Sequence, residues 1–251
     1  MNKSILVSAR SGSKRLPQKP YLKIQDREII TYLFENIKKS NVAQEVFLAT
    51  TTKKEDDLLC SIALDYNLKV FRGDSEDKLN RWLSCCLENQ IDYFVNVDGD
   101  DIFFDYELAD YVLKIIDEFD FIDGSGLYND VYGININALK KVCNNKKTIK
   151  TEFVRPFFLN EDSLKVLKLT DVDKKYTKTD FRMTLDYDED YIFFKNIIES
   201  LNEYSFDNVL NYLENNPEIK KINYFLDEEW RINQQKEIGK INLRKNMVET
   251  N

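Results

Sequence analysis

The sequence predicts an α/β protein with a mostly parallel sheet and helices on both faces. Two observations carry this prediction. Short apolar runs alternate with segments of helical periodicity along the first half of the chain, which is the pattern of parallel strands joined by crossover helices. The chain also has 251 residues, of which 43% are hydrophobic, enough for one large domain with a substantial core.

The predicted elements of the first half follow the chain in order. Apolar runs predict strands, at Ser4–Ala9, Glu45–Thr50, Lys69–Phe71 and Tyr93–Val97. Apolar residues at helical spacing predict helices between them, at Glu28–Lys39, Glu55–Tyr66, Lys78–Glu88 and Tyr106–Phe119. Ligands of such sheets bind at the carboxyl ends of strands, so the loops after the strands are expected to share one functional rim.

The alternation blurs in the second half, between about residues 121 and 180. Glycines and a lysine-rich stretch, Lys140–Lys150, occur there, and we interpret this region as an excursion from the sheet that forms a substrate lid or a dimer arm. Arg182–Asp186 is predicted to be a return strand, followed by helices at Glu189–Leu201 and Asp207–Glu214. The predicted domain is therefore 1–225, and residues 226–251 form a charged extension, either a peripheral helix or a loose tail.

Composition excludes several classes of function. The net charge of -8 disfavours a nucleic-acid binder. The chain has no histidine, which excludes histidine triads and histidine-ligated zinc. Its four cysteines form no C-x-x-C pair and are expected to be reduced thiols. With no signal peptide and no apolar stretch long enough for a bilayer, a cytoplasmic protein without a membrane partner is expected.

The first loop, S-A-R-S-G-S-K-R-L-P-Q-K, is strongly basic against this acidic background. It contains Arg10, Lys14, Arg15 and Lys19. Gly12 and its small neighbours Ser11 and Ser13 leave backbone N–H groups accessible to an anion. The loop matches neither a Walker A motif nor a dinucleotide fingerprint. It predicts an anion site, and a solvated basic loop is the alternative.

Two acidic segments follow predicted strands. In V-D-G-D-D, Val97–Asp101, three carboxylates would raise one another's pKa values, and Mg²⁺ would relieve their repulsion. Asp100 is the preferred metal ligand, whereas Asp98 and Asp101 could instead cap the next helix. Asp186 is the candidate second ligand, and the acids at 188–190 are expected to be structural at a helix start. Cations, carboxylates and Mg²⁺ on one rim predict nucleotidyl or phosphoryl transfer.

Six segments in order resemble the bacterial cytidylyltransferases, a family that includes CMP-Kdo synthetase, CMP-sialic acid synthetase and the spore coat polysaccharide protein F group. The opening loop resembles the family's A-R-x-G-S-x-R-L-P-x-K, and the resemblance extends to about Asn223. The other segments of this sequence are L-A-T-T-T, R-G-D-S-E-D-K-L-N-R-W, V-N-V-D-G-D-D, R-M-T-L-D-Y-D-E-D-Y and L-E-N-N-P-E-I-K-K-I-N. The protein F group is the most similar of the three.

The resemblance implies a three-layer α/β/α, Rossmann-like, nucleotide-diphospho-sugar transferase fold. It also implies attack by an acceptor oxygen on the α-phosphate of CTP, with release of pyrophosphate, for cell-surface polysaccharide biosynthesis. Arg10, Lys19 and Asp100 would be catalytic, and Asp100 and Asp186 would hold Mg²⁺. The nucleotide would be bound by Ala9, Ser11, Gly12, Ser13, Arg15, Thr50, Thr51, Arg72, Asp77 and Arg81. The homodimers of relatives make a homodimer the expectation.

Departures from the family pattern concern the acceptor. T-E-F-V-R, Thr151–Arg155, has Phe153 where many relatives have histidine, and Ile102-Phe103 stands where they often have P-L. Both places are expected to belong to acceptor recognition. Tyr132, Lys150 and Arg155 are the candidates for binding an acidic sugar or a phosphorylated acceptor.

Two other functions stay open at this point. D-G-D could be the metal motif of a glycosyltransferase with a related GT-A fold, although such enzymes lack the basic opening loop. The chain could also be a non-catalytic nucleotide-binding protein, although Arg10, Lys19, Asp100 and Asp186 are all present.

Overall fold

The computed structural model describes residues 1–13, 15–177 and 180–241, so Lys14 of the basic loop lies outside the described residues. The strands are β1 (Lys3–Ser8), β2 (Lys23–Ile24), β3 (Arg27–Glu28), β4 (Glu45–Thr51), β5 (Lys69–Gly73), β6 (Tyr93–Asp98), β7 (Phe121–Asp123), β8 (Tyr132–Asn135) and β9 (Val166–Lys168). β2 and β3 form a small antiparallel ribbon. The others form one seven-stranded sheet in the order β5-β4-β1-β6-β8-β7-β9.

The sheet is mostly parallel, as predicted. β1 pairs in parallel with both β4 and β6, β4 with β5, and β7 with β9. Only β8 is antiparallel to its neighbours, β6 and β7. The carboxyl ends of β1, β4, β5 and β6 therefore lie on one rim, where ligands of such sheets bind.

Helices cover both faces of the sheet, so the three-layer α/β/α prediction is confirmed. The helices are α1 (Ile30–Ile37), α2 (Asp57–Asp65), α3 (Lys78–Glu88), α4 (Tyr106–Ile115), α5 (Ile136–Asn145), α6 (Arg155–Leu159), α7 (Asp188–Ser200), α8 (Phe206–Asn215), α9 (Pro217–Lys220) and α10 (Asp227–Ile238). One core contains apolar residues of α1, α2, α4, α7 and α8. The second contains those of α3, α5 and α6.

Strand periodicity divides the side chains between these two cores. In β1, Ile5 and Val7 belong to the first core and Leu6 to the second, because successive side chains of a strand point to opposite faces. The same alternation places Val95 of β6 in the first core and Phe94 in the second. Both faces of the central strands are buried, which is why these strands read as continuous apolar runs.

The interpretation of residues 121–180 as an excursion from the sheet is wrong in one respect. This region returns to the sheet three times, as β7, β8 and β9. Its strands, of only three or four residues, are too short to show a clear periodicity in the sequence, and a glycine interrupts that of β8. Gly133 in β8 lies where an added Cβ would come within 2.6 Å of Val112, so only glycine fits the contact of this strand with α4.

The predicted return strand Arg182–Asp186 is also wrong. This segment has no regular secondary structure, although it is largely buried, and the Leu185 N–H donates to the Asp100 carbonyl at 3.0 Å. Its apolar residues face the core without a neighbouring strand. The segment still ends at Asp186 on the functional rim, and the helix that follows begins at Asp188 as expected.

Residues 242–251 of the charged extension lie outside the described residues. Asp227–Ile238 of the extension form α10, a helix in which no residue is buried. It is thus the peripheral helix of the two predicted forms, although one of its side chains reaches the rim, as described below. Among the described residues, no helix is long and apolar enough to cross a bilayer.

Candidate active site

Three charged side chains from distant parts of the chain meet at the rim. Lys19 Nζ lies 2.6 Å from Asp100 Oδ2 and 3.1 Å from Asp186 Oδ1. Lys19 ends the basic loop and begins a short 3-10 turn with Pro20, Asp100 lies in the turn after β6, and Asp186 precedes α7. The hydrogen bond between Leu185 and Asp100 fixes the two carboxylate-bearing segments side by side.

Arg15 completes this charge cluster. Its guanidinium lies 2.6 Å from Asp186 Oδ1. Burial opposes the charge of Asp186, but Lys19 and Arg15 outweigh it and hold the pKa of Asp186 at about 2. Burial likewise opposes the charge of Lys19, while Asp100 and Asp186 raise its pKa well above the usual range. Lys19, Arg15 and Asp186 are therefore ionised at neutral pH.

The second oxygen of Asp186 is bound on the opposite side. Trp230 Nε1 in α10 donates to Asp186 Oδ2 at 2.8 Å, and an Arg182 guanidinium nitrogen lies 3.3 Å from the same oxygen. Arg182 is itself paired with Asp190, at 3.0 Å from Nε to Oδ1. Asn223 donates to Asp190 Oδ1 at 2.9 Å. Trp230, Arg182, Asp190 and Asn223 thus form a polar network on the side of Asp186 that faces away from Lys19 and Arg15.

The residues fit a magnesium ion bound together with a nucleotide. Asp100 and Asp186 each direct one oxygen toward the same point, at which Lys19 Nζ lies. Two carboxylates plus substrate phosphates form a donor set typical of Mg²⁺. By themselves, the residues described at 1–13, 15–177 and 180–241 contain no group of three or more acids or cysteines arranged to hold a metal, so the phosphates would have to complete the coordination.

Ala9 and Arg10, two predicted site residues of the first loop, directly follow β1. Arg10, which is predicted to be catalytic, pairs with Glu152 at 2.9 Å and also donates to the Ser75 carbonyl at 3.2 Å. Ala9 is buried against Gly99, where an added Cβ would come within 2.5 Å of the Ala9 Cβ. This close approach holds the ends of β1 and β6 together.

Asp56 holds the centre of the loop. The Ser11 N–H and hydroxyl donate to Asp56 Oδ1 at 2.8 and 2.7 Å, and the Thr51 hydroxyl donates to Oδ2. Burial opposes the charge of Asp56, but the hydrogen bonds from Thr51 and Ser11 outweigh it and lower its pKa. The Ser11 N–H is thus committed to a carboxylate in this structure. Gly12 and Ser13 follow, and the Ser13 N–H donates to the Ser11 carbonyl at 2.9 Å.

Thr50, Thr51 and Arg72 lie together at the ends of β4 and β5. Arg72 Nε donates to the Thr51 carbonyl at 2.9 Å, and its terminal nitrogens bind the Lys53 carbonyl and Asp57. These contacts clamp the loop between β4 and α2. In this structure Arg72 therefore stabilises the conformation of this loop at the rim.

Asp77 and Arg81 lie at the start of α3. Asp77 is the helix N-cap: its carboxylate accepts from the Asn80 N–H at 3.0 Å, and also from Thr151 and Lys146. Arg81 is buried and donates to the Asp74 carbonyl at 2.7 Å. Burial lowers the pKa of Arg81. Its Nε is buried without a hydrogen-bond partner and is therefore an unused donor.

The three predicted acceptor-binding residues are not brought together in one contact. Arg155 binds Asp123 at the end of β7, with Nε within 3.1 Å of both carboxylate oxygens, and Lys168 also lies 3.5 Å from Asp123. Tyr132 in β8 donates to Asp130 at 2.9 Å, and its partner across the ladder is Asp123. Arg155 and Tyr132 therefore share one region, whereas Lys150 is exposed.

Asp98, the last residue of β6, and Asp101 do not cap the next helix. Asp105 is the N-cap of α4, accepting from the Glu107 N–H at 3.0 Å, so the expected capping alternative for Asp98 and Asp101 is wrong. Asp98 pairs with Lys78 at 2.6 Å. Asp101 is buried, and its burial together with Asp100 and Asp98 raises its pKa well above the usual value.

The two positions that depart from the family pattern differ in their surroundings. Ile102 and Phe103 are buried in the first core, where the Phe103 ring packs against Phe194 at a centroid distance of 5.3 Å. Their side chains support the fold and do not line the rim. Phe153 is only partly buried, and it lies in the loop that carries Glu152, the partner of Arg10.

Several residues of the site were missed by sequence reasoning. Arg182 belongs to the R-M-T-L-D segment and could have been chosen as the cation nearest to Asp186 in the sequence. Lys78 begins a helix directly after an acidic loop, and this position is a weaker indication of a site residue than that of Arg182. Trp230 gave no signal, because the extension beyond residue 226 is charged and its helical periodicity is weak.

Comparison with known proteins identifies the family of this chain. The cytidylyltransferase family model matches residues 4–229. An uncharacterized protein of Methanocaldococcus jannaschii is 30% identical over 229 residues, which cover 87% of this chain and 93% of that protein. The spore coat polysaccharide biosynthesis protein SpsF of Bacillus subtilis is 24% identical over 213 residues, covering 79% and 87% of the two chains.

Solved structures share the fold. A cytidylyltransferase from Leptospira borgpetersenii superposes with a TM-score of 0.79 at 24% identity, covering 88% of this chain and 97% of that chain. The CMP-2-keto-3-deoxy-manno-octonic acid synthetase solved with CTP gives a TM-score of 0.60 at 13% identity, with 80% and 99% coverage. The family model matches nearly the whole domain that holds the charge cluster, and the chain therefore belongs to the cytidylyltransferase family.

Proposed function

We propose that this protein transfers CMP from CTP to an acidic sugar or a phosphorylated sugar or polyol, with release of pyrophosphate. The product would be an activated sugar for cell-surface polysaccharide biosynthesis. The observation that carries the proposal is the meeting of Lys19, Arg15, Asp100 and Asp186 at the rim of a cytidylyltransferase-family fold.

The reaction requires positive charge near the triphosphate. It also requires that the α-phosphorus be oriented toward the acceptor oxygen. The acceptor oxygen forms a bond to the α-phosphorus while the bond from that phosphorus to the bridging oxygen of the β-phosphate breaks, and pyrophosphate leaves. A hydroxyl acceptor releases its proton to water in this step, whereas a phosphate oxygen attacks as the anion. Lys19 and Arg15 would bind the phosphates and stabilise the charge that develops on their oxygens. Arg10, half-exposed at the same end of β1, could turn from Glu152 toward the nucleotide, because exposed ion pairs are weak.

Magnesium is part of the proposal. Asp100 and Asp186 would hold it, and when bound it would neutralise phosphate charge and help to orient the triphosphate. Lys19 would then give up its direct contacts with these two carboxylates in favour of the phosphates. The pairing of Lys19 with both acids supports this exchange, because the acids already meet at one cation.

The acceptor would lie near Arg155, at the end of β7. Arg155 and Lys168 both lie beside Asp123, and Arg can bind a carboxylate or a phosphate with two hydrogen bonds. This region is separated in sequence from the CTP-binding loop but belongs to the same sheet. The expected homodimer stays a prediction.

The test is a thermal-shift panel followed by a pyrophosphate-release assay. CTP, UTP, ATP and GTP are each added with and without Mg²⁺, because a ligand that binds only the folded state raises the melting temperature. We expect the largest shift with CTP and Mg²⁺. Sugar acids, sugar phosphates and polyol phosphates are then screened as acceptors for pyrophosphate release that depends on CTP.

Two outcomes would contradict the proposal. A larger shift with a nucleotide diphosphate-sugar than with any triphosphate would favour the glycosyltransferase alternative. Tight binding of CTP and Mg²⁺ without pyrophosphate release, in the presence of the full acceptor panel, would favour a nucleotide-binding protein. Asp100→Ala separates these further, since an enzyme should lose turnover steeply whereas a binding protein should lose affinity modestly.

A further inference from the structure

We propose that Trp230 is a positioning residue for Asp186, so that α10 is part of the active site. The inference rests on the proposed function, because it concerns the carboxylate that would meet the metal and the triphosphate.

The two oxygens of Asp186 have different surroundings. Oδ1 faces the site, 2.6 Å from Arg15 and 3.1 Å from Lys19. Oδ2 faces the protein, 2.8 Å from Trp230 Nε1 and 3.3 Å from Arg182. The indole hydrogen bond is the shorter of the two contacts to Oδ2. It thus fixes rotation of the carboxylate, and this decides which oxygen is presented to a ligand.

Trp230 also positions the second partner of Oδ2. The Arg182 guanidinium lies against two aromatic rings, 5.0 Å from the Trp230 centroid and 5.6 Å from that of Tyr187. The Arg182 side chain is 1% exposed, so the two rings shield its charge from water. The indole of Trp230 therefore contacts both Asp186 Oδ2 and the guanidinium that also binds Oδ2.

The helix that carries Trp230 has few other anchors. None of its residues is buried, and its first residue, Asp227, lies 3.8 Å from Arg182. A helix placed only to complete the core would bury an apolar face. The polar contacts of α10 with Asp186 and Arg182 indicate instead that it acts on the site.

The test compares Trp230→Phe with Ile232→Ala in the full chain. Phenylalanine keeps a ring against Arg182 but loses the indole N–H, and Ile232 is an exposed residue of the same helix, 45% exposed. Loss of a hydrogen bond to a metal-binding group typically costs 10- to 100-fold in affinity or activity. We expect Trp230→Phe to lower kcat, and to raise the Mg²⁺ concentration that gives half the CTP-dependent thermal shift, each by about ten-fold. Ile232→Ala should change neither by more than about two-fold.

A double-mutant cycle with Asp186→Asn distinguishes positioning from general stability. If Trp230 acts through the Asp186 carboxylate, Trp230→Phe should have almost no further effect in the Asp186→Asn background, because the two residues share one interaction. The melting temperature of Trp230→Phe without ligand should stay close to that of the wild type.

Three results would overturn the inference: unchanged Mg²⁺ dependence in Trp230→Phe, additive effects in the cycle, or equal effects of Trp230→Phe and Ile232→Ala. The binding measurements are scored separately from turnover. A wild type that binds CTP with Mg²⁺ but releases no pyrophosphate would defeat the proposed reaction, while the Trp230→Phe binding comparison would still decide the positioning role. A wild type that binds no nucleotide with Mg²⁺ would overturn both.

Discussion

Lys19 and Asp100, which are 81 residues apart in the sequence, form an ion pair of 2.6 Å at the carboxyl end of the central sheet. The Lys19 side chain is 14% exposed and that of Asp100 24%, so the pair is partly shielded from solvent yet open to the rim. Such a pair can exchange partners when a charged ligand enters. The ability to exchange partners distinguishes the Lys19–Asp100 pair from ion pairs that only stabilise the protein surface.

Replacing Lys19 by methionine should abolish most of the proposed activity. The substitution keeps the length of the side chain and removes the ammonium that would stabilise charge on the phosphates. Loss of one such group typically lowers kcat by about 10²- to 10³-fold. The measurement is the initial rate of pyrophosphate release from CTP at saturating acceptor.

Lys3→Met is the matched control for this substitution. Lys3 begins β1, at the end of this strand opposite the rim, and forms an ion pair with Asp117 at 2.7 Å. Its loss should leave kcat within about two-fold, since it removes a comparable pair far from the rim. Equal losses of activity in both variants would mean that Lys19 matters only for folding.

The contribution of Asp186 to stability should disappear in acid. Its pKa is about 2 in the folded state and close to 4 in the unfolded chain. A lowered folded pKa gives stability above the unfolded pKa, and this is lost as the pH falls toward the folded pKa. The difference in unfolding free energy between wild type and Asp186→Asn should be about 2 kcal/mol at pH 6.

Urea unfolding at a series of pH values from 6 down to 3 measures this difference. It should shrink steadily as the pH falls. Ile192→Ala, which removes an exposed side chain without a titratable group, should give a difference that does not depend on pH. A wild-type advantage over Asp186→Asn that persists unchanged at pH 3 would refute the assignment.

Asp77 should act on stability and not on nucleotide affinity. Because it caps α3 and accepts from Thr151, Asp77→Ala should destabilise the protein by about 1–2 kcal/mol. Asp77→Asn keeps an oxygen at the cap and should retain most of that stability. Urea unfolding measures the loss, and titration with CTP at a temperature where both variants are folded measures affinity. A large fall in CTP affinity in Asp77→Asn would instead support the predicted nucleotide contact.

Arg155 should act on the acceptor alone. A charge-assisted hydrogen bond to a carboxylate or phosphate contributes about 1.5–3 kcal/mol, so Arg155→Met should raise the KM for the acceptor by at least about ten-fold. The KM for CTP should stay within about two-fold. Steady-state kinetics with each substrate varied in turn provide both values, and Lys69→Met, at the start of β5, is the control. A parallel rise in both KM values would place Arg155 in the nucleotide site.

Much of the fold and part of the site follow from local patterns in the sequence. Buried parallel strands must be apolar on both faces, which made β1, β4 and β6 visible, and their common direction placed the loops with Lys19 and Asp100 on one rim. The short strands β7, β8 and β9 were not visible, because strands of three or four residues carry too little periodicity. Arg182–Asp186 was mistaken for a strand, because burial against the core produces the same apolar pattern without a ladder of hydrogen bonds.

The sequence by itself determined the α/β class, the basic loop and the acidic residues of the site, because each depends on residues that are near one another in the chain. Only the tertiary structure decided which charges meet. It paired Lys19 with both Asp100 and Asp186, assigned Asp77 to a helix cap, and brought Trp230 within 2.8 Å of Asp186. Contacts between segments so far apart depend on how the helices pack on the sheet, and no local pattern of residues encodes that packing.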